Sequence, residues 1–248
     1  MDRKRIAEIK KLQMKKYRDE SGLFIVEGRK SVSDLLNSQM KTVAVAANAE
    51  WIEKYGASIP KEIEMIETNC KEMERISALK NPQEVLAITT IPHFDIATIK
   101  STTPILVLDG ISDPGNMGTI MRTADWFGIT DIVCSNDTVE FANPKVVQAS
   151  MGSFCRVKVF YTNLCNFLKT QQNRNIYGTF LEGTPIQKTI FKENDIIVIG
   201  NEGNGISEEV AALVNSRIHI PANQGNGAES LNAAISTGIV LYQFRQSL

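Results

Sequence analysis

Histidine and cysteine are scarce. There are two histidines, His93 and His219, and four cysteines, at positions 70, 134, 155 and 165, with no CxxC pair. A structural zinc site needs such ligands clustered, so no metal is expected, and reduced, mostly buried thiols are the ordinary reading. No segment reaches the roughly 18 consecutive apolar residues of a membrane helix, which excludes a span of that kind. The start, Met1-Asp2-Arg3-Lys4-Arg5, runs into a polar stretch without the apolar core of a signal peptide, so a cytoplasmic protein is expected. The net charge is only −1, so the molecule as a whole is no polycation. A GxGxxG fingerprint is missing, and no loop ends in Gly-Lys-Ser/Thr. Dinucleotide cradling and a P-loop are therefore excluded. Internal repeats and low-complexity segments are absent too.

What is present is ample for folding. The 248 residues are 43% hydrophobic and 22% charged, room for one large domain or two ordinary ones. Charge is unevenly spread. Residues 1–18 carry Arg3, Lys4, Arg5, Lys10, Lys11, Lys15, Lys16 and Arg18 against Asp2 and Glu8. Such an arm can neutralise phosphates, or it can be simply a solvated helix face.

Apolar spacing at Ile6, Ile9 and Leu12 predicts a helix over 3–18, broken at Ser21-Gly22. Strands are expected at 23–26, 43–46, 63–67 and 85–88, with helices at 31–38, 50–55 and 70–79, the last capped by Asn69. Alternating helices and strands over residues 1–91 argue for a small α/β domain. Residues 92–103, with Pro92 and a polar run ending at Thr103, read as a linker. Residues 104–248 form the second domain. Its strands are expected at 105–108, 131–134, 156–160, 175–180, 196–199 and 217–220, and its helices at 116–128, 144–151, 161–171, 207–214 and 230–245. Wholly apolar strands alternating with helices imply a mostly parallel sheet, buried on both faces.

Parallel sheets bind ligands where strand ends lead into helix starts. Three such loops are unusual. The first, Asp109 to Gly128, contains Asn116 and Arg122. Locally, Asn116 reads as a helix cap and Arg122 as half of an ion pair. The second, Gly200-Asn-Glu-Gly-Asn-Gly-Ile-Ser207, holds three glycines, which permit close backbone approach. Glu202 within it reads locally as a solvated carboxylate. The third, Ile220 to Asn232, is a Gly/Asn-rich turn into a helix start, with Ser230 as its cap.

The order and spacing of these loops resemble the three signature motifs of the SpoU/TrmH family of RNA 2′-O-ribose methyltransferases, within the SPOUT superfamily. Asn116-Met-Gly-Thr-Ile-Met-Arg122-Thr-Ala is similar to the first motif, Gly200-Asn-Glu202-Gly-Asn-Gly-Ile-Ser to the second, and Ile220-Pro with Glu229-Ser-Leu-Asn232-Ala-Ala to the third. Tyr17-Arg18 and Gly22-Leu-Phe-Ile-Val-Glu-Gly28 resemble the accessory RNA-binding domain of many members, a fold similar to ribosomal protein L30e. One departure stands out: residues 223–227 make the third loop long and polar.

The resemblance implies a deep trefoil knot in the second domain, a homodimer, S-adenosylmethionine as cofactor and RNA as substrate. It points to ribosomal RNA, 23S, before transfer RNA. A non-catalytic RNA-binding factor on the same fold is the reading from another class. The implied catalytic group is Arg122, Glu202, Asn116, Ser230 and Asn232. The implied cofactor wall is Thr179, Leu181, Glu182, Gly183, Gly200, Asn201, Glu202, Gly203, Ile220, Ala222, Ser230, Leu231 and Ala233. A guanidinium stays protonated in proteins, so the role expected of Arg122 is electrostatic: it binds the phosphate beside the target ribose and stabilises the developing alkoxide. Water or Glu202 then takes the proton. In this setting the basic arm of residues 3–18 is expected to contact RNA.

Overall fold

The computed structural model describes residues 1–171, 173–223 and 229–248. They divide into two compact units. One is Met1–His93 with Phe141–Cys155, and the other is Phe94–Glu140 with Arg156–Leu248. Residues 141–155 lie inside the stretch read from sequence as the second domain, yet they cluster with the first unit.

The first unit starts with α1 (Arg3–Lys11) and α2 (Lys15–Ser21), followed by β1 (Leu23–Glu27), α3 (Arg29–Leu36), β2 (Thr42–Ala47), α4 (Ala49–Tyr55), β3 (Glu64–Glu67), α5 (Cys70–Ile76) and β4 (Val85–Thr90). Its sheet runs β1-β4-β2-β3. The single helix expected over 3–18 is in fact two. The Gln13 amide donates to the carbonyls of Ile76 and Ser77, each at 2.9 Å, and so closes the open end of α5 instead of continuing α1. Ile6, Ile9 and Leu12 are buried against β2, β4 and α5. Each such side chain contributes about 2 kcal/mol by leaving water. Asn69 caps α5 as expected, within a capping box shared with Glu72.

The second unit contains β5 (Ile105–Asp109), α6 (Pro114–Trp126) and β6 (Asp131–Cys134). The chain next passes through α7 (Pro144–Ser150), which belongs to the first unit, where Phe141 and Phe154 meet Phe24 edge-on at 5.7 and 6.1 Å. It then adds β7 (Lys158–Tyr161), α8 (Leu164–Lys169), β8 (Ile176–Pro185), β9 (Ile196–Gly200), α9 (Glu208–Ala211), β10 (Ser216–His219) and α10 (Ala233–Ser247). The sheet order is β10-β8-β9-β5-β6-β7, and every pairing is parallel. This is the parallel α/β sheet that the apolar strands imply. All five residues of β5 and all four of β6 are buried.

One irregularity matters for function. Along the β8–β10 pair, Arg217 faces Gly178 while its neighbour Ile218 faces Thr184. Thr179–Gly183 therefore leave the ladder as an outward bulge of β8. The thiol expectation needs correction: only Cys134 is buried, and Cys70 is exposed.

Candidate active site

The site is built where β5, β9 and the start of α10 converge within the second unit. Two local expectations fail here, and both failures free side chains for it. Asn116 does not cap α6. Asp113 does, accepting from the Asn116 backbone N–H at 2.7 Å, with Pro114 in the first turn. Ser230 does not cap the last helix either. Asn232 does, its Oδ1 accepting from the N–H groups of Ala234 at 2.9 Å and Ile235 at 3.3 Å.

With its backbone capped by Asp113, the Asn116 side chain faces the site. Its Nδ2 donates to Glu202 Oε1, and its Oδ1 accepts from Asn232 Nδ2 at 2.9 Å. The three unusual loops thus meet in one hydrogen-bonded chain: Asn232, Asn116, Glu202. The half-buried Glu202 is not the solvated carboxylate of the local reading.

Arg122 lies six residues beyond Asn116, about 9 Å further along α6 at 1.5 Å per residue. It is exposed, and no acid among the described residues pairs with it. The ion pair of the local reading does not form. The outer face of α6 therefore carries a cation with no acid partner among the described residues, less than two helical turns beyond Asn116 and outside the Asn–Asn–Glu chain. Ser230 and Leu231 are exposed on the approach to Asn232. The Gly/Asn-rich part of the third loop, residues 224–228, lies outside the described residues.

The residues expected to form the cofactor wall lie at strand ends and at the start of α10. The bulge Thr179–Gly183 is tied to β9 by Thr179 Oγ1, which donates to Val198 O at 3.2 Å. Beyond that tie, Leu181, Glu182 and Gly183 are exposed. Gly183 has φ 147°, and a Cβ there would sit 2.6 Å from Arg217 O. Gly200 lies against the main chain of Gly205 and Ile206, with no space for a Cβ. Ala222 is exposed and Ile220 half-buried, whereas Ala233 is buried at the start of α10. Their chemistry suits an adenosyl group: exposed strand-end backbone can read polar edges, and Leu181 and Leu231 are exposed apolar side chains.

Sequence reasoning missed Asp109 and Ser207, whose side chains bind each other at the base of the second loop. The available signal was an acid ending a wholly apolar strand.

Comparison with known proteins places the chain by family and fold. Residues 103–242 match the SpoU rRNA Methylase family, and residues 3–87 match the MRM3-like substrate binding domain. A TrmH-family structure from Porphyromonas gingivalis superposes with a TM-score of 0.89 at 36% identity, over 99% of this chain and 98% of that one. An AdoMet-bound rRNA methyltransferase from Sinorhizobium meliloti gives 0.89 at 30% identity, over 99% and 95%. The 23S rRNA (guanosine(2553)-2′-O)-methyltransferase RlmP of Bacillus subtilis is 29% identical over 97% of this chain and 96% of its own length.

Fold, site and relatives together define an S-adenosylmethionine-dependent RNA 2′-O-methyltransferase. Within that class the chain belongs to the SpoU rRNA methylase family, whose match covers more than half of its length.

Proposed function

We propose that the chain methylates a ribose 2′-hydroxyl of 23S ribosomal RNA in the cytoplasm, with Arg122 and Glu202 as the principal reacting-site groups. The observation that carries the reading is the Asn232–Asn116–Glu202 chain with the exposed Arg122 less than two turns further along the same helix. The similarity to RlmP over nearly the whole length of both chains supports the target. Mapping 2′-O-methyl sites in total RNA with and without the gene tests it. Loss of one 23S site is expected, whereas loss of a transfer-RNA site would overturn the target.

When bound, S-adenosylmethionine supplies an electrophilic methyl carbon. The residues of this chain do the rest. Arg122 holds the phosphate next to the target ribose and offers its charge to the oxygen as it loses its proton. Glu202, with Oε1 fixed by Asn116, accepts that proton directly or through a water. Asn232 and Asn116 orient the ribose edge, and Ser230 supplies a hydroxyl at the rim. Backbone of Thr179–Gly183, Gly200–Gly203 and Ile220–Ala222 holds the cofactor. The trefoil knot belongs to the same reading, and a crystallographic trace of the chain from Ile220 to Leu248 tests it.

The basic arm serves RNA contact in a narrower form than the sequence suggests. Arg18 is 2% exposed, and its guanidinium donates to Leu12 O at 2.8 Å, so it holds the core and does not meet RNA. Arg5 is engaged by Glu64 and Glu8. Arg3, Lys4, Lys10, Lys11, Lys15 and Lys16 are exposed and carry the proposal. Deleting the arm would also strip Ile6, Ile9 and Leu12 from the core, so charge removal is the cleaner test. Replacing Lys10, Lys11, Lys15 and Lys16 by alanine is expected to weaken RNA binding and to flatten its salt dependence. The log–log slope should fall by about 0.7–0.9 for each phosphate that is no longer neutralised. An unchanged slope would return the arm to a solvated helix face.

The homodimer is proposed on a second observation. Ile235, Ile239 and Tyr242 repeat at i, i+4 and i+7 along α10, and they are 56%, 37% and 57% exposed. Trp126 on α6, the helix against which α10 packs, is 84% exposed. So large an apolar face is expected to be covered by a second copy. Light scattering at twice the chain mass of 27.5 kDa is the expected result, and a monomer at micromolar concentration would refute it.

A further inference from the structure

Glu202 sits in a loop that is tied down at both ends. At its start, Asn201 Nδ2 donates to Gly110 O at 2.7 Å, while Oδ1 accepts from the N–H groups of Gly203 at 2.8 Å and Asn204 at 3.1 Å. The backbones of Asn201 and Gly205 exchange two hydrogen bonds, at 3.0 and 2.9 Å. At its end, the N–H and the hydroxyl of Ser207 both donate to one oxygen, Asp109 Oδ2, each at 2.8 Å. Asp109 is 8% exposed and lies beside Gly200 in the sheet.

Ser207 occupies the residue before α9, where a serine ordinarily caps the helix. Its side chain caps nothing there. The hydroxyl is given to Asp109 instead, so this serine closes the loop onto β5 at the expense of its own helix.

We infer that Asp109 and Ser207 are positioning residues for methyl transfer, acting through the loop to set Glu202 against Asn116. A carboxylate that must take a proton from a ribose hydroxyl has to be held within hydrogen-bond reach of it, and a loosened loop spreads Glu202 over positions that miss. The inference rests on the proposed role of Glu202 as proton acceptor. It adds two residues whose side chains bind each other, Ser207 Oγ donating to Asp109 Oδ2. Ser207→Ala removes one of the two bonds to Asp109, and Ser207→Thr keeps the hydroxyl.

The test uses total RNA from a strain lacking the gene, which contains the natural substrate whichever RNA that is, with methyl-labelled S-adenosylmethionine. Ser207→Ala is expected to lower kcat about tenfold, with the RNA KM changed less than twofold and the melting temperature nearly intact; Ser207→Thr is expected to restore the rate. In a Glu202→Gln background the further loss from Ser207→Ala should vanish, because both changes disable one unit. Equal losses in the two backgrounds would overturn the inference while leaving Glu202 in place. A full-rate Glu202→Gln enzyme alongside a slow Ser207→Ala enzyme would remove Glu202 from its proposed role, and the coupling of Ser207 to it would go as well. A Ser207→Ala enzyme at full rate would overturn the inference alone. Hydrogen exchange at the amides of Gly203 to Ile206 supplies a check without RNA. Faster exchange in Ser207→Ala is expected, and no change would refute the latch.

Discussion

Replacing Arg122 by alanine is expected to lower turnover by well over tenfold, while affinity for S-adenosylmethionine stays within about twofold. Tenfold corresponds to about 1.4 kcal/mol, a modest share of what one preorganised charge can supply to a developing alkoxide. The structure sharpens the reason. Arg122 is exposed on α6 and has no acid partner among the described residues, so its charge is not already spent on a salt bridge. It also stands outside the Asn232–Asn116–Glu202 chain, so its loss leaves that geometry standing. Lysine at this position should recover little, because a point charge cannot reproduce the two-pronged grip on phosphate. Methyl-incorporation kinetics beside calorimetry with the cofactor separate the two quantities. A full-rate Arg122→Ala enzyme would end the assignment.

Replacing Gly200 by alanine is expected to have the larger effect on the cofactor. The added Cβ would land inside the van der Waals envelope of the Gly205 and Ile206 main chain. Main chain cannot swing aside as a flexible side chain can, so the loop must move off β9. Overpacking of this kind typically costs about 1–3 kcal/mol in stability. Moving the loop also displaces Asn201 and Glu202, and the predicted loss of S-adenosylmethionine affinity is on the order of a hundredfold. Calorimetry reads it directly, and a circular-dichroism melt shows whether the fold survives. Near-normal binding by Gly200→Ala would show that the Gly200–Gly203 backbone does not line the cofactor pocket.

Much of the fold is legible in the residues alone. Strands such as Ile105-Leu106-Val107-Leu108 and Ile196-Ile197-Val198-Ile199 are apolar at every position, and only burial on both faces of a parallel sheet asks for that. The grouping of three loops at strand ends is legible in the same way. What is illegible depends on competition between neighbours. Asn116 and Asp113 are both good caps, and sequence cannot say which wins; Asp113 does, with Pro114 fixing the first turn. Ser230 and Asn232 compete likewise at α10, and Asn232 wins. The break between α1 and α2 is hidden because the group that favours it, the carbonyl end of α5, lies more than sixty residues away in sequence. Arg18 reads as a surface cation because charge alone says nothing of burial.

The Asn232–Asn116–Glu202 chain has a direction. A carboxylate can only accept, so Asn116 must turn its nitrogen toward Glu202 and its oxygen toward Asn232. Asn232 must then present its nitrogen, which leaves its oxygen for the first amides of α10. No amide can flip without breaking bonds on both sides. The positive end of the helix and the acceptor carboxylate are thereby joined by aligned dipoles, each polarising the next. An aspartate at position 116 would fit the space but would face Glu202 with a like charge and no proton to give, so exchanging a single nitrogen for oxygen would undo the polarity of the whole site.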